Sequence, residues 1–502
     1  MLAILAVVVG LLSGAPATAA QGSTLYVAPG GSDRNDCRTP QRACASFNRG
    51  YRAASPGDQV EIAGGTYRGP QQFRPDSSKQ SSQHVLLRAA PGARVLVECN
   101  DVSNCLATEG ADHLTLRGIT TSMLSPVAGM PRQAGVALDR GSDDVTFEDV
   151  DAGHIFIAGS NQSVIGGDYG PTVDEVSKIA DDVGENVLID GARFHDHREH
   201  EDHMECIALY GARGVTIRRS TFDTCSVFAI FGAPNVGELY RDVLIENNVF
   251  SNSGRAGMST HLKISSHGGD CSNFLVRNNV FVDDNLIADC GTKGGRATNM
   301  RWIANIFENW SGCPGGPHEF DYNVIEHGRR CGPHDVVVGN AGFVDRAAQD
   351  FHLRPGSPAI DRGHPGLAPG EDMDGNPRPV GGRSDAGADE FGSTGGRGRP
   401  GGGDRSAPRL RVRLRRPGGR VVVLARCSEP CRVAARLRLR AHGRALGRRS
   451  ERRVGGRTAR LVVPVRRSAL PSGGRVRTTL RITATDSAGN SRTVARRLRI
   501  AR

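Results

Sequence analysis

Apolar and polar residues alternate within a nine-residue phrase that the chain repeats. The copies read NVLIDGARF (186–194), GVTIRRSTF (214–222), DVLIENNVF (242–250), NFLVRNNVF (273–281) and NMRWIANIF (299–307). In each copy the second and fourth residues are apolar: Val187 and Ile189, Val215 and Ile217, Val243 and Ile245, Phe274 and Val276, Met300 and Trp302. A period of two is that of a strand with one buried face. Each copy then turns through small or polar residues and closes on Phe. The copies begin 28, 28, 31 and 26 residues apart, a spacing that predicts stacked repeats. Asn248, Asn279 and Asn305 share one slot in three successive copies, which predicts side-chain amides bonded along a ladder. Strands of one sense, wound about an apolar axis, make a parallel β-helix. Each rung leaves its backbone groups unpaired until the next one stacks on it.

Weaker rungs precede the phrase: QVEIAG, HVLLRAA, DHLTLRGIT, AGVALDRG, DDVTFEDV and HIFIAGS. ASFNRGYRAA (45–54) has apolar residues near helical spacing and ends before Pro56, as a short helix covering the first rung would. Residues 341–391 are predicted to close the far end. Their acids Asp361, Asp372, Asp374, Asp385 and Asp389 form turns in a Gly- and Pro-rich segment or, as the alternative, a calcium site.

The phrase, the opening LYVAPGGSDRNDC…CASFNRGYRAASPGDQVEIAGGTY and the later SPAIDRG…DMDGNPRP…DAGADEF together resemble the secreted right-handed parallel β-helix proteins of the pectate-lyase-like superfamily. The resemblance spans residues 25–391. It implies fold and export. It leaves the chemistry open, because that superfamily holds lyases, hydrolases, epimerases and non-catalytic surface proteins.

Residues 1–20 (MLAILAVVVGLLSGAPATAA) are an apolar run ending in small residues and read as a secretory signal peptide, although no Lys or Arg precedes the run. Export and no membrane span are expected. The twelve cysteines fall into close couples: Cys37 and Cys44, Cys99 and Cys105, Cys206 and Cys225, Cys271 and Cys290, Cys313 and Cys331, Cys427 and Cys431. An even count behind an export signal favours disulfides over metal ligands.

Charge divides the chain. Residues 401–502 hold 29 Arg and four acids, a net of +25; the whole chain is +11, so residues 1–400 carry −14. The expected architecture is all-β: signal peptide (1–20), right-handed parallel β-helix with caps (21–391), a Gly/Arg/Pro-rich linker (392–408) and a small antiparallel β-sandwich resembling immunoglobulin or fibronectin modules (409–502). The last domain contains no Phe, Tyr or Trp, which argues against a carbohydrate module built on flat aromatic platforms. Its charge suits an extracellular polyanion, or is arginine serving as the general surface cation. No nucleic-acid motif accompanies that charge.

Two segments carry candidate chemistry. Aligning second strands by Ile207 and Leu209, Phe228 and Ile230, Leu262 and Ile264 puts Ala208, Ala229, Lys263 and Ala288 in one outward slot. Lys263 then stands in a trough, flanked by His261 and Ser265. The chain has only four Lys against 60 Arg, and a partly desolvated Lys can act as a base where Arg cannot. As in β-helix lyases of acidic polysaccharide, such a base would need a nearby cation; Arg218, Arg219, Arg255 and Arg277 are candidates, Arg277 foremost. The alternative is a surface lysine on a sheet. The second segment, HDHREHEDHMEC (195–206), gathers His195, His197, His200 and His203 with five acids; His203 and Glu205 are its candidate acid/base pair, and a solvated polar loop is the alternative. The function expected is action on acidic polysaccharide by a lyase or hydrolase. The competing expectation is a non-catalytic extracellular scaffold binding a polyanion. No cofactor beyond calcium is suggested, and a monomer is expected.

Overall fold

The computed structural model describes residues 22–393, apart from 101–104, 125–133, 140, 174–175, 180–184, 199–204, 212, 252–259, 266, 283–284, 289, 292–294, 311 and 314, together with the strands of 410–501. The proposed signal peptide, most of the linker and His203 lie outside the described residues, as does Arg255.

Residues 22–393 wind into a parallel β-helix with three long sheets. The longest has twelve strands, from Thr24–Val27 to His318–Asp321. One nine-stranded sheet runs from Gln71–Gln72 to Asn285–Ala288, and the other from Asp168–Tyr169 to Val336–Val337. In the long sheet Val187, Val215, Val243, Phe274 and Met300 are successive partners in register, so the repeat of the sequence is the rise of the coil.

Two ladders run through the interior. Tyr169, Phe194, Phe222, Phe250, Phe281 and Phe307 stack with ring centroids 4.7–5.2 Å apart. Each such aromatic pair contributes about 0.5–1.5 kcal/mol beyond its buried area. Beside them the buried amides relay hydrogen bonds. The backbone N–H and Nδ2 of Asn248 both donate to Asn279 Oδ1 (3.0 Å each), and those of Asn279 donate to Asn305 Oδ1 (3.0 Å each). The relay is longer than the three-residue slot in the sequence. Ser220 N–H donates to Asn248 Oδ1, Asn305 donates on to Asn323, and Asn323 donates to Asp335 Oδ1, whose other oxygen accepts from Cys331 N–H and Gly332 N–H. Each Nδ2 also donates to a carbonyl one rung back, which satisfies groups at a corner that water cannot reach.

A third file runs along the outer edge, one residue before the register row Val187, Val215, Val243, Phe274 and Met300 and its counterpart Gln162. Asn161, Asn186, Asp242, Asn273 and Asn299 have φ between 54° and 60° there, a left-handed conformation that short amide and carboxylate side chains tolerate. Asn299 Nδ2 donates to Asn273 and Asn273 Nδ2 to Asp242 (2.9 Å each). Gly214 fills the same place at φ 70°, where a Cβ would lie 2.8 Å from Asn186 Oδ1.

At the N-terminal end the helix Phe47–Ala53 begins at Ser46, whose side chain accepts from Arg49 N–H, and it buries Phe47 and Tyr51 on the first rungs. Five of the six expected disulfides are present: Cys37–Cys44, Cys99–Cys105, Cys206–Cys225, Cys271–Cys290 and Cys313–Cys331. The side chains of Cys427 and Cys431 lie outside the described residues.

Residues 341–391 pack along the flank of the last rungs. Phe343, Phe351, Leu353, Ala386 and Ala388 share an apolar cluster with Val249, Val280, Ile303, Ile306 and Val324 of successive rungs. Asn247 Nδ2 donates to Glu371 O and Asn278 Nδ2 to Asp385 O, tying the segment to left-handed corners of the coil. The five acids suggested as calcium ligands are bonded within this segment. Asp372 accepts from Asp374 N–H and Asn376 N–H, Asp385 from Asp361 N–H and Phe391 N–H, Asp389 from Leu353 N–H, and Asp361 from Arg383 N–H. Asp374 and Asp350 grip His352 from both sides (2.8 and 2.6 Å). Those two carboxylates push the His352 pKa up to about 11. Its contribution to stability is therefore complete below the unfolded value of about 6.5 and is lost as pH rises through about 11.

The second unit comprises two antiparallel sheets. One orders Leu410–Arg415, Val421–Cys427 and Thr458–Val463; the other orders Ala445–Arg453, Cys431–Leu439, Arg475–Asp486 and Ser491–Ala501. Val421, Val423 and Leu461 of the first share one core with Val433, Leu437, Leu480 and Ile482 of the second, which makes a small β-sandwich.

Asn279→Ala removes a buried acceptor that serves two donors of Asn248 and a donor to Ile245 O. At about 1–3 kcal/mol for each buried group left unsatisfied, the coil is expected to lose several kcal/mol. Thermal unfolding followed by circular dichroism should show a midpoint well below that of Asn299→Ala, which breaks the exposed file; equal midpoints would contradict the ladder's role.

Candidate polymer-binding face

Chemistry on a β-helix has to sit outside the coil, where outward side chains of successive rungs line up. On the nine-stranded sheet ending at Asn285–Ala288, register sets Phe156 beside Lys178, Lys178 beside Ala208, Ala208 beside Phe231, Phe231 beside Lys263 and Lys263 beside Ile287. This differs from the expected slot. Ile207 pairs with Ile230, two residues out of the frame assumed from sequence, and Ala288 pairs with Ile264. The neighbours of Lys263 are therefore not small. A register shift between Thr260 and Leu262 and an untypical Phe228 explain the difference. Phe228 opens its strand with its ring stacked on Phe231 (5.4 Å between centroids) instead of following Ile230 inward.

Lys263 Nζ lies over both rings, 5.1 Å from the Phe228 centroid and 5.5 Å from that of Phe231. Ring faces are electronegative and attract the ammonium, so the lysine is held by the rings. The scarcity of lysine that singled out Lys263 applies equally to Lys178, three rungs away on the same row, or about 14 Å at the usual strand spacing. Lys178 and Phe156 were legible only once register was known.

The other candidates separate. His261 is fully buried, not in a trough: its imidazole packs near Phe250 and Phe281 and its Nε2 bonds to Val282 O. The register shift beside it turns it toward the core. Arg277 stands on the long sheet, on a different face from Lys263, and donates to Glu246 (2.7 Å) and Leu367 O (2.6 Å). It belongs to a row in which acid and base alternate: Asp190, Arg218, Glu246, Arg277. Arg219 bonds Asp190 and Glu371 at the same edge. Together Arg218, Arg219, Glu246, Asn247, Gly370 and Glu371 line a cleft of about 410 Å³ against the flanking segment. Its two arginines both pair with Asp190, and the bond from Arg219 to Glu371 fastens the segment to the coil.

From the histidine-rich segment, His195 and His197 enter the strand Arg193–Arg198, and Glu205 begins the strand Glu205–Leu209; all three are buried. His195 bonds Asp168 (2.9 Å) and Asp196 (3.0 Å). His197 is wholly inside the coil. Burial, and then the neighbouring charges of His154 and His195, drive its pKa down to about 3 against the opposing backbone of Tyr169 and Glu205. It is an interior neutral imidazole.

No family model matches the chain. No curated protein matches it. Among solved structures it is similar to a pectate lyase, Pel9A (14% identity, 74% of this chain and 97% of that one, TM-score 0.45), and to XylC in complex with xylose (11%, 81% and 89%, TM-score 0.38). It is also similar to the enzymatically active domain of tailspike protein 2 of bacteriophage CBA120 (10%, 96% and 72%, TM-score 0.20). These figures say nothing of chemistry. The class defined by the structure is an all-β parallel β-helix with an aromatic and lysine strip along one outer face.

Because folded His197 stays neutral while the unfolded chain takes up a proton near pH 6.5, stability should fall as pH drops from about 6.5 toward 3. Thermal midpoints across that range should decline less in His197→Phe, which keeps a ring inside the coil without a titrating group, than in the parent. Identical slopes would show that His197 does not contribute.

Proposed function

We propose that this is an extracellular polysaccharide-binding β-helix whose aromatic and lysine strip holds a carboxylated glycan chain. The observation that carries this reading is Lys263 seated over the stacked rings of Phe228 and Phe231, with the pair Phe156 and Lys178 further along the same row. Ring faces accept the apolar C–H face of a sugar, and an ammonium accepts its carboxylate. A pyranose chain advances by about one rung per residue, so a polymer running along the coil meets the two lysines a few sugars apart. Elimination chemistry would need a cation, calcium or arginine, at the sugar that Lys263 meets, and among the described candidate arginines Arg218, Arg219 and Arg277 all stand on another sheet. The site therefore supports binding over β-elimination. Export is supported by five disulfides, which form in oxidising compartments. Among the described residues no helix is long and apolar enough to cross a membrane. The arginine-rich sandwich adds non-specific attraction to the same anionic polymer.

Affinity electrophoresis through gels containing pectate, alginate or a neutral glucan tests this. The full chain should be retarded by the carboxylated polymers. Phe231→Ala and Lys263→Ala should each weaken retardation about tenfold, equivalent to about 1.4 kcal/mol. The sandwich is unchanged in these variants, so the difference reports the strip. Equal retardation of parent and variants would overturn the proposal.

A further inference from the structure

Away from that strip, three successive rungs near the start of the long sheet break the pattern of its outer file. Where later rungs place Asn161, Asn186, Gly214, Asp242, Asn273 and Asn299, the third, fourth and fifth strands of the sheet are preceded in register by His84, His113 and Asp144. His113 and Asp144 share the left-handed conformation of the file, with φ of 48° and 53°. The change of residue type is a change of chemistry. Amides satisfy one another along the edge, whereas imidazoles and a carboxylate converge. Asp144 Oδ2 lies 2.9 Å from His113 Nδ1 and 3.0 Å from His84 Nε2, and the three ligand atoms lie within 4.8 Å of one another.

We propose that His84, His113 and Asp144 form a binding site for a divalent transition metal, zinc being the reference ion. Two imidazole nitrogens and one carboxylate oxygen are a zinc donor set, and calcium would take oxygen ligands instead. Tetrahedral bonds of 2.0–2.1 Å put neighbouring ligand atoms about 3.3 Å apart, so only small side-chain movements separate the observed spacing from coordination. His84 is oriented from behind, its Nδ1 2.9 Å from Thr115 Oγ1, the outer-sphere contact that fixes which nitrogen faces a metal. The three side chains are partly exposed, at 22%, 20% and 39%, which leaves an entry path and a fourth position for water or a ligand oxygen. The set His352, Asp374 and Asp389 also lies close together, but both nitrogens of His352 are engaged by carboxylates, Asp350 among them. A metal held by His84, His113 and Asp144 would pin three successive rungs near the start of the coil.

The test uses the full chain, stripped with a chelator and dialysed, then titrated with Zn²⁺ by calorimetry and with Co²⁺ by visible absorption. His113→Asn is the first variant, because Asn fills this slot in four other rungs and accepts its backbone. Asp144→Asn is the second, for the same reason. The parent should bind one more equivalent of zinc than either variant, show tetrahedral cobalt bands that the variants lack, and gain thermal stability from zinc where they do not. Affinity at this site should fall at least a hundredfold. Zinc binding elsewhere, including the other histidines, appears equally in all three proteins and cancels. Equal stoichiometry and equal zinc stabilisation in parent and variants, or no zinc bound by the parent, would overturn the proposal.

Discussion

The structure depends on strands of one sense stacking in register at a corner that water cannot reach. A turn in every rung leaves N–H and C=O groups inside the coil, and each would be costly if left unpaired. The asparagine relay from Ser220 to Asp335 meets that cost by bonding each rung both to the next and to the one before. It ends on a carboxylate because the last rung supplies two further backbone donors and no further amide. With register held there, the phenylalanine rings must superpose, and so must every outward row.

Register is how the coil gathers side chains that lie far apart in the sequence. A residue on one strand sets little by itself, but identical register lets Phe156, Lys178, Phe231 and Lys263 form a single row although they are far apart in the chain. The same geometry, on the long sheet, produces the alternating ions from Asp190 to Arg277 and the convergent His84, His113 and Asp144. The first of these fastens the flanking segment; the second is spaced as metal ligands are. Rows, more than individual residues, are what register builds on this coil.

The fold was largely legible because its determinants repeat: Val187, Val215 and Val243 announce a period, and Asn248, Asn279 and Asn305 announce a ladder. The cysteine couples were legible because sequence neighbours on a coil become neighbours on adjacent rungs. The candidate site was harder. The second strands carry no repeated phrase, so their frame rested on treating Phe228 as an inward residue, and it stacks on Phe231 instead. A register shift at Thr260 likewise sent His261 to the core, which alternation alone does not foresee. His84 and His113 were invisible because their rungs lack the phrase, and only pairing shows them to share a slot with Asn186 and Asn299. The flanking course of residues 341–391 depends on apolar residues that point outward at coil corners and are buried by that segment, such as Val280 and Ile306, which no local pattern distinguishes from core positions.

The central claim is that register sets Lys178 and Lys263 on one row where both meet the same polymer, and lysine acylation measures it most directly. The chain has four lysines, and Lys79 is buried against Tyr51 and serves as an unreactive internal control. Acylation rates read by mass spectrometry, with and without saturating carboxylated polysaccharide, should show Lys178 and Lys263 protected together and to a similar degree. If the polymer binds while Lys263 reacts at its free rate, the strip is not where the polymer lies.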